Sequence, residues 1–190
     1  MKIFINLYKK HNGFDPVGWF LAVQQRGGVV HAAFEIDLED GSEPMVWTTG
    51  ARWTWKGPVF GAVVANQYNQ GRTYWQAEFV KPLHPELAMH LLNILRNLAN
   101  QRYGFEKVGR LIWAGNTTGD NICQLGKIDQ TLKNPFCSEG VVFPCWRVGK
   151  FVCQRFCKKE PSVCTPMDLW NEAKSGDIIV IKRFFNPKAT

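Results

Sequence analysis

Short apolar runs rich in β-branched and aromatic residues predict strands through the first half of the chain. The predicted strands cover residues 2–8, 29–36, 44–49, 53–64 and 74–80, and Ile178 to Arg183 predicts a last strand near the end. Asp, Glu and Gly dominate residues 37–43, which is the composition of a turn. We therefore expect residues 29–36 and 44–49 to pair as a hairpin.

Helical spacing of apolar residues begins in the middle of the chain. Residues 85–101 place five apolar side chains on one helical face: Leu87, Leu91, Ile94, Leu95 and Leu98. Further helices are predicted over 16–26 and over 137–143, and Pro144 is expected to end the second of them. Another helix is predicted to begin at Thr165, which is a favourable N-cap, with Pro166 at the first helical position and Asp168 at the third. Strands early and helices later predict an α+β fold, with an antiparallel sheet packed against helices.

Composition changes this picture little. The chain has 190 residues, of which 45% are hydrophobic and 21% charged, and this favours one globular domain over residues 1–190. The net charge of +7 suits an anionic partner. The basic residues are scattered, so we interpret them first as a solvated surface and do not expect nucleic-acid binding.

The N-terminus lacks the pattern of a secretory signal. The apolar run Ile3-Phe4-Ile5 ends at Asn6, and Lys9 and Lys10 follow. The longest apolar runs, 141–143 and 178–181, fall far short of the ~20 residues that a membrane-spanning helix needs. We expect a cytoplasmic protein at synthesis, without a transmembrane segment, which reaches a virion or the cell wall only by separate delivery.

All six cysteines fall in the last third of the chain, at positions 123, 137, 145, 153, 157 and 164. The gaps between Cys145, Cys153, Cys157 and Cys164 are seven, three and six residues, an irregular spacing that differs from the two tight Cys pairs of structural zinc sites. The stretch 145–164 therefore looks like a Cys-rich insertion in the domain, and we predict no metal there.

Two segments carry candidate chemistry. His31 lies in a strand rich in β-branched residues, directly after Gly27-Gly28, where a structural histidine is the simpler explanation. Cys137 follows Asn134-Pro135-Phe136 at the start of a short apolar helix. A thiol at a helix N-terminus is near the positive end of the dipole and free amide donors, which favour the thiolate and can bind an oxyanion.

The order of these segments resembles the circularly permuted papain-like (NlpC-type) cysteine hydrolases, which include bacterial and phage-encoded members. The matching segments are Val30-His31, Arg102-Tyr103-Gly104, Phe136-Cys137-Ser138-Glu139 and Thr165-Pro166-Met167-Asp168-Leu169, and together they span roughly residues 16–170. Each motif is short, so the resemblance rests on order and spacing. Gly104 stands where the family often has Asp.

The resemblance implies a permuted papain-like fold in which Cys137 is the nucleophile and His31 its base, with Tyr103, Ser138 and Glu139 near the substrate. A thiolate–imidazolium pair would attack an amide carbonyl, most simply in a cell-wall peptide, without a metal or an organic cofactor. The expected partner is a peptide or peptidoglycan-like substrate.

The family's third catalytic residue is a polar side chain on the strand after the histidine. A turn centred near Asp40-Gly41 pairs His31 with residues 47–50, which makes Thr48 the candidate, with Thr49 beside it. Glu35 is about 13 Å along the same strand and is too distant to orient His31.

Two further interpretations remain open from the sequence. A threonine orients an imidazole less firmly than a carboxylate does, which leaves room for a catalytically degenerate structural or binding module, such as a phage virion component. The six cysteines leave room for a zinc-binding, nucleic-acid-associated protein.

Overall fold

The computed structural model describes residues 1–10, 28–55, 57–104, 132–133, 135–149 and 164–187. Within these ranges the chain forms six strands: β1 (Lys2–Lys9), β2 (Val29–Asp37), β3 (Met45–Thr54), β4 (Gly57–Val64), β5 (Tyr74–Phe79) and β6 (Ile179–Phe185). The helices are α1 (Ala65–Asn69), α2 (Pro85–Leu98), α3 (Glu139–Arg147) and α4 (Pro166–Ser175). The predicted helix over 16–26 lies outside the described residues.

The six strands form one sheet in the order β4-β3-β2-β1-β5-β6, and each neighbouring pair is antiparallel. The predicted hairpin of β2 and β3 is confirmed. Phe34 pairs with Trp47 and Ile36 with Met45, so the turn is centred at Asp40 and Gly41. The α+β class with an antiparallel sheet is therefore correct.

The strand β3 extends beyond its predicted end at Thr49. Gly50 adopts a φ of +82°, a conformation that glycine reaches without steric cost. The pairing with β4 then shifts between Thr49 and Arg52, which marks a β-bulge. The bulge absorbs the irregular glycine, so the strand continues to Thr54 instead of ending.

One face of the sheet carries the main hydrophobic core. Ile5 and Leu7 of β1 and Phe34 and Ile36 of β2 belong to it, with Ala77 and Phe79 of β5. The helices contribute their apolar stripes, including Leu91, Leu95, Val142 and Leu169. None of the described helices is long and apolar enough to cross a membrane.

The opposite face of the sheet is polar and aromatic. Side chains alternate along a strand, so the same strands present a second set of residues there: Asn6, Tyr8, His31, Glu35, Thr48, Tyr74 and Gln76. The short helix α1 packs beside this face, since Ala65 and Tyr68 join Tyr8 and Tyr74 in a second cluster. We call this surface the polar face.

The prediction that Pro144 breaks the nucleophile helix is wrong. Helix α3 runs through Pro144 to Arg147. The proline cannot donate to the Gly140 carbonyl, but almost every residue of α3 is buried, and this packing outweighs the lost hydrogen bond. Gly140 is needed for that packing, because a Cβ there would lie 2.8 Å from Cε2 of Phe60 in β4.

The predicted start of α4 is confirmed in detail. The Thr165 hydroxyl accepts a hydrogen bond from the Asp168 backbone N–H at 3.2 Å, and Thr165 N–H donates to the Asp168 carboxylate at 2.8 Å. This reciprocal capping box, with Pro166 at the first helical position, satisfies two helix-end donors. The helix ends at Gly176, whose φ of +72° is left-handed.

Candidate active site

The candidate site lies where β2 and β3 separate. Their ladder joins only Phe34–Ile36 with Met45–Trp47, so the segment of β2 with His31 lies beyond the pairing. The turn at Cys137 reaches this opening. The Ala32 backbone N–H hydrogen bonds to the Cys137 thiol, as do the amides of Cys137 and Ser138. The structure therefore brings Cys137 to the residue next to His31 on β2.

The helical turn that carries Cys137 begins just before α3. Gly140 N–H donates to the Phe136 carbonyl at 2.9 Å, and Val142 N–H donates to the Ser138 carbonyl at 2.8 Å. Helix α3 begins at Glu139 with Ser138 as its N-cap, two residues later than predicted, so Cys137 lies in the turn before it. The Cys137 side chain is only 4% exposed. The amide donors converge on a sulfur that is almost fully shielded from water.

His31 is held by two hydroxyl groups. Its Nε2 lies 2.7 Å from Thr48 Oγ1 and 3.0 Å from the Tyr68 hydroxyl. The two hydroxyls are themselves 3.3 Å apart, so the three groups form a compact triangle. The structure thus brings together the predicted pair of His31 and Thr48, and adds Tyr68, which the sequence analysis did not identify.

The hydrogen bonds suggest which nitrogen of His31 is basic. The Thr48 hydroxyl can donate to the Thr49 carbonyl at 3.2 Å, which leaves its lone pair for the imidazole. The Thr48 hydroxyl then both donates and accepts if Nε2 of His31 carries the proton and donates it to Oγ1. The other nitrogen, Nδ1, is then the unprotonated one, as a general base requires.

An aromatic and cationic group surrounds His31 on the polar face. The Tyr8 ring is tilted against the imidazole with centroids 5.5 Å apart, and it meets the Tyr68 ring edge-on at 5.6 Å. The Arg72 guanidinium lies 4.3 Å from the centroid of the Tyr68 ring, which is a cation–π contact. This packing restricts the rotation of both His31 and Tyr68.

Burial favours the neutral forms of both candidate catalytic groups. Burial raises the pKa of the Cys137 thiol to about 11, against the opposing pull of the three backbone amides. Burial, and secondly the positive charge of Arg72, lowers the pKa of His31 to about 3. Desolvation therefore opposes the expected thiolate–imidazolium pair in the resting protein, and it acts on the thiol pKa more strongly than the nearby backbone amides do.

Ser138 and Glu139 hold the nucleophile turn in place. The Ser138 hydroxyl donates to the Cys164 carbonyl at 2.7 Å, and Phe136 N–H donates to the Glu139 carboxylate at 3.4 Å. Both side chains are essentially inaccessible to solvent. This burial argues against the predicted contact of these side chains with substrate and gives them a structural role, joining α3 to the approach to α4.

Tyr103 lies on the other side of the nucleophile turn. Its backbone N–H donates to the Pro58 carbonyl at 3.0 Å, and Gly104 N–H donates to the Pro135 carbonyl at 3.3 Å. The segment 101–104 therefore lines the edge of β4 and touches the chain two residues before Cys137. Substrate contact by the half-buried Tyr103 stays a prediction.

Glu35 anchors a separate network farther along the polar face. Its carboxylate accepts from the amides of Asn6 at 2.6 Å, Asn69 at 3.0 Å and Gln76 at 3.2 Å. The Tyr8 hydroxyl donates to Asn69 Oδ1 at 2.7 Å. Among the described contacts of the polar face, Glu35 has none with His31, in agreement with the distance expected along the strand. Tyr8 connects the two indirectly, because its ring packs against His31 and its hydroxyl donates to Asn69, which in turn donates to Glu35.

Two of the cysteines in the stretch 145–164 belong to the core. Cys145 and Cys164 are fully buried among the residues of the main core. Any insertion is thus confined between them, and Cys123, Cys153 and Cys157 lie outside the described residues. Among the residues described, no group of three or more His, Cys, Asp and Glu side chains is arranged to hold a metal ion.

Comparison with solved structures shows a likeness of fold. No family model and no curated protein sequence matches the chain. The fold is similar to the crystal structure of metalloprotein yiiX from Escherichia coli O157:H7, described as DUF1105, with a TM-score of 0.55. The identity is 13%, over 100% of this chain and 90% of that one. At this identity the likeness supports the fold alone.

Proposed function

We propose that the chain is a thiol hydrolase with a circularly permuted papain-like fold, which cleaves an amide bond through Cys137 and His31. The observation that carries this proposal is the meeting of the Cys137 thiol with the Ala32 amide, one residue from His31, at the opening between β2 and β3. Two distant segments, each proposed independently from a motif, converge there.

The neutral state of both groups determines how the reaction would start. His31 Nδ1 removes the thiol proton as the sulfur attacks the substrate carbonyl carbon, so the charge pair forms only during attack. The new S–C bond leaves an oxyanion, which the backbone N–H groups at Cys137 and Ser138 stabilise. Thr48 and Tyr68 hold the imidazole, and Thr48 accepts from the Nε2–H as the ring becomes charged.

The later steps reverse the direction of the proton. When the tetrahedral intermediate collapses, the C–N bond breaks and imidazolium His31 gives its proton to the leaving amine. Water then attacks the thioester while His31 takes one of its protons. The S–C bond breaks, the acid is released and the thiol regains its proton.

The substrate class that we propose is an amide in a cell-wall peptide. The net charge of +7 suits an anionic cell-wall polymer. Such a substrate implies that the protein acts at the cell wall, after delivery by a phage particle or by lysis.

The experiment that tests this function combines an activated ester with peptidoglycan fragments. We expect the purified chain to form a covalent acyl adduct, located at Cys137 by mass spectrometry of its peptides, and to release new amino groups from the fragments. Cys137→Ala removes both signals. Cys145→Ala is the matched control, because it removes a thiol that is fully buried in the main core, and it should leave both signals intact.

The second candidate function is a binding or structural module on the same scaffold, such as a virion component. The observation that favours it is the protonation of the two groups. With a pKa of about 11 for the Cys137 thiol and about 3 for His31, the resting protein contains no thiolate to act as a nucleophile. If no acyl adduct forms at Cys137 while binding to cell-wall fragments persists in Cys137→Ala, this second function replaces the first.

A further inference from the structure

The hairpin tip between β3 and β4 exposes two large aromatic side chains. Trp53 is 77% exposed and Trp55 is 90% exposed, whereas the other exposed large hydrophobic residues of the described chain lie between 40% and 52%. Indole rings are costly to leave in water, because each carries a large apolar area. Two of them on one tip form an apolar projection, and we call Trp53 and Trp55 the tryptophan tip.

The charge around the tryptophan tip is positive. The chain contains no Asp or Glu between Glu43 and Glu78, and Arg52 directly precedes Trp53. Arg52 is exposed and donates to the Asn100 side chain. Arg102, also exposed, reaches the same place, because both Arg52 and Arg102 pair with Val59 from opposite sides of β4.

We propose that the tryptophan tip, with Arg52 and Arg102, docks the protein on an anionic lipid bilayer surface. Tryptophan is enriched at membrane–water interfaces, where its apolar ring and polar N–H are both satisfied. Basic residues beside it add attraction to anionic headgroups. The two tryptophans project from the end of a hairpin. Proteins that bind a nucleic-acid strand instead use a positively charged groove that follows its backbone.

A succession of backbone contacts connects the tip with the candidate active site. Trp53 pairs with Pro58, whose carbonyl accepts from Tyr103, and the next residue, Gly104, donates to Pro135. Pro135 stands two residues before Cys137. A bilayer held by the tip therefore lies on the side of the molecule where segment 101–104 meets the nucleophile turn.

The test is co-sedimentation of the full chain with lipid vesicles. Vesicles of mixed phosphatidylglycerol and phosphatidylcholine should bind it, phosphatidylcholine alone should bind it much less, and high salt should weaken the binding. We expect each tryptophan to contribute on the order of tenfold to the partition coefficient. The variant Trp53→Ala/Trp55→Ala should lose vesicle binding, and Arg52→Gln/Arg102→Gln should lower it about 25-fold.

Matched variants keep the test specific. Leu87→Ala/Met89→Ala removes exposed apolar side chains from α2, and Lys174→Gln/Lys182→Gln removes exposed charges from α4 and β6. Neither should change binding. The proposal does not rest on the proposed hydrolase, so Cys137→Ala should bind vesicles like the native chain, and a catalytic failure would leave this result intact.

Three outcomes would overturn the proposal. The first is a native chain that fails to bind anionic vesicles, or a tryptophan variant that binds them equally well with an unchanged circular dichroism spectrum. The second is binding to a single-stranded oligonucleotide, lost in the tryptophan variant, without vesicle binding. The third is a dimer in sedimentation velocity that the same variant abolishes, which would assign the tip to a second copy of the chain.

Discussion

The two faces of the sheet are built from the same strands, but one packs into the hydrophobic core and the other carries polar and aromatic side chains. On β2, Phe34 and Ile36 enter the main core beneath the helices, while His31 and Glu35 alternate with them on the polar face. The core face is closed by α2, α3 and α4. The polar face keeps a groove of about 560 Å³, bordered among others by Glu35, Tyr74 and Phe185.

The comparison shows that the residues of the candidate site come from both faces of one sheet. His31, Thr48 and Tyr68 belong to the polar face, whereas Cys137 arrives on the helix layer that covers the other. The turn with Cys137 reaches the backbone of Ala32, the neighbour of His31 on β2, and it does so where β2 and β3 no longer pair beyond Phe34 and Trp47.

The largest expected effect concerns the chemistry of the polar face. His31→Ala should lower the rate of acyl-adduct formation about 10²–10⁴-fold, because it removes the proton acceptor. The melting temperature should change little compared with this loss. His90→Ala, an exposed histidine on α2, is the control and should react normally. Equal rates for the two variants would disconnect His31 from the reaction.

The core face should respond with stability instead of activity. Leu95 is fully buried in α2, so Leu95→Ala should reduce the free energy of unfolding by about 2–5 kcal/mol, through lost burial and a cavity. Leu87→Ala on the exposed side of the same helix should change it by less than about 0.5 kcal/mol. Urea denaturation measures both. A large loss of acylation rate in folded Leu95→Ala would mean that the two faces are coupled.

The third prediction concerns pH. The pKa of His31 falls to about 3 in the folded protein, from 6.5, so below pH 6.5 the unfolded chain binds a proton that the folded chain does not. Stability should therefore fall as the pH drops from 6.5 towards 3. The slope contributed by His31 should stay below the 1.4 kcal/mol per pH unit of a full proton, because the ring is only part-buried.

Denaturation of native protein and His31→Gln at several pH values measures this contribution. The difference between their stabilities should shrink or reverse in favour of the variant as the solution is acidified. Parallel pH profiles for the two proteins would show that His31 is not desolvated in the folded state.

The smallest effect concerns the two hydroxyls on Nε2. Thr48→Val and Tyr68→Phe should each slow acylation by about 2–10-fold, since each removes one hydrogen bond and leaves the other in place. The double variant should lose more than the product of the two, because the imidazole then has neither partner. Purely multiplicative effects would indicate that the two hydroxyls act independently of each other.

Much of the architecture follows from local sequence. Alternating apolar residues specify the strands, the Leu-rich face specifies α2, and Thr165-Pro166 with Asp168 specifies the start of α4. The acidic turn at Asp40-Gly41 determines the hairpin register, which is why Thr48 could be selected as a neighbour of His31. These features depend on interactions between residues within a few positions of one another, so they can be predicted from the sequence.

Tertiary structure decided what local patterns do not contain. Tyr68 follows β4 and meets His31 only because the sheet folds α1 over its polar face, so no spacing rule signalled it. Helix α3 continues past Pro144 because its burial outweighs a lost hydrogen bond. The neutral state of Cys137 and His31 arises from desolvation, which depends on everything packed around them, while the helix N-terminus that favoured a thiolate is local and weaker.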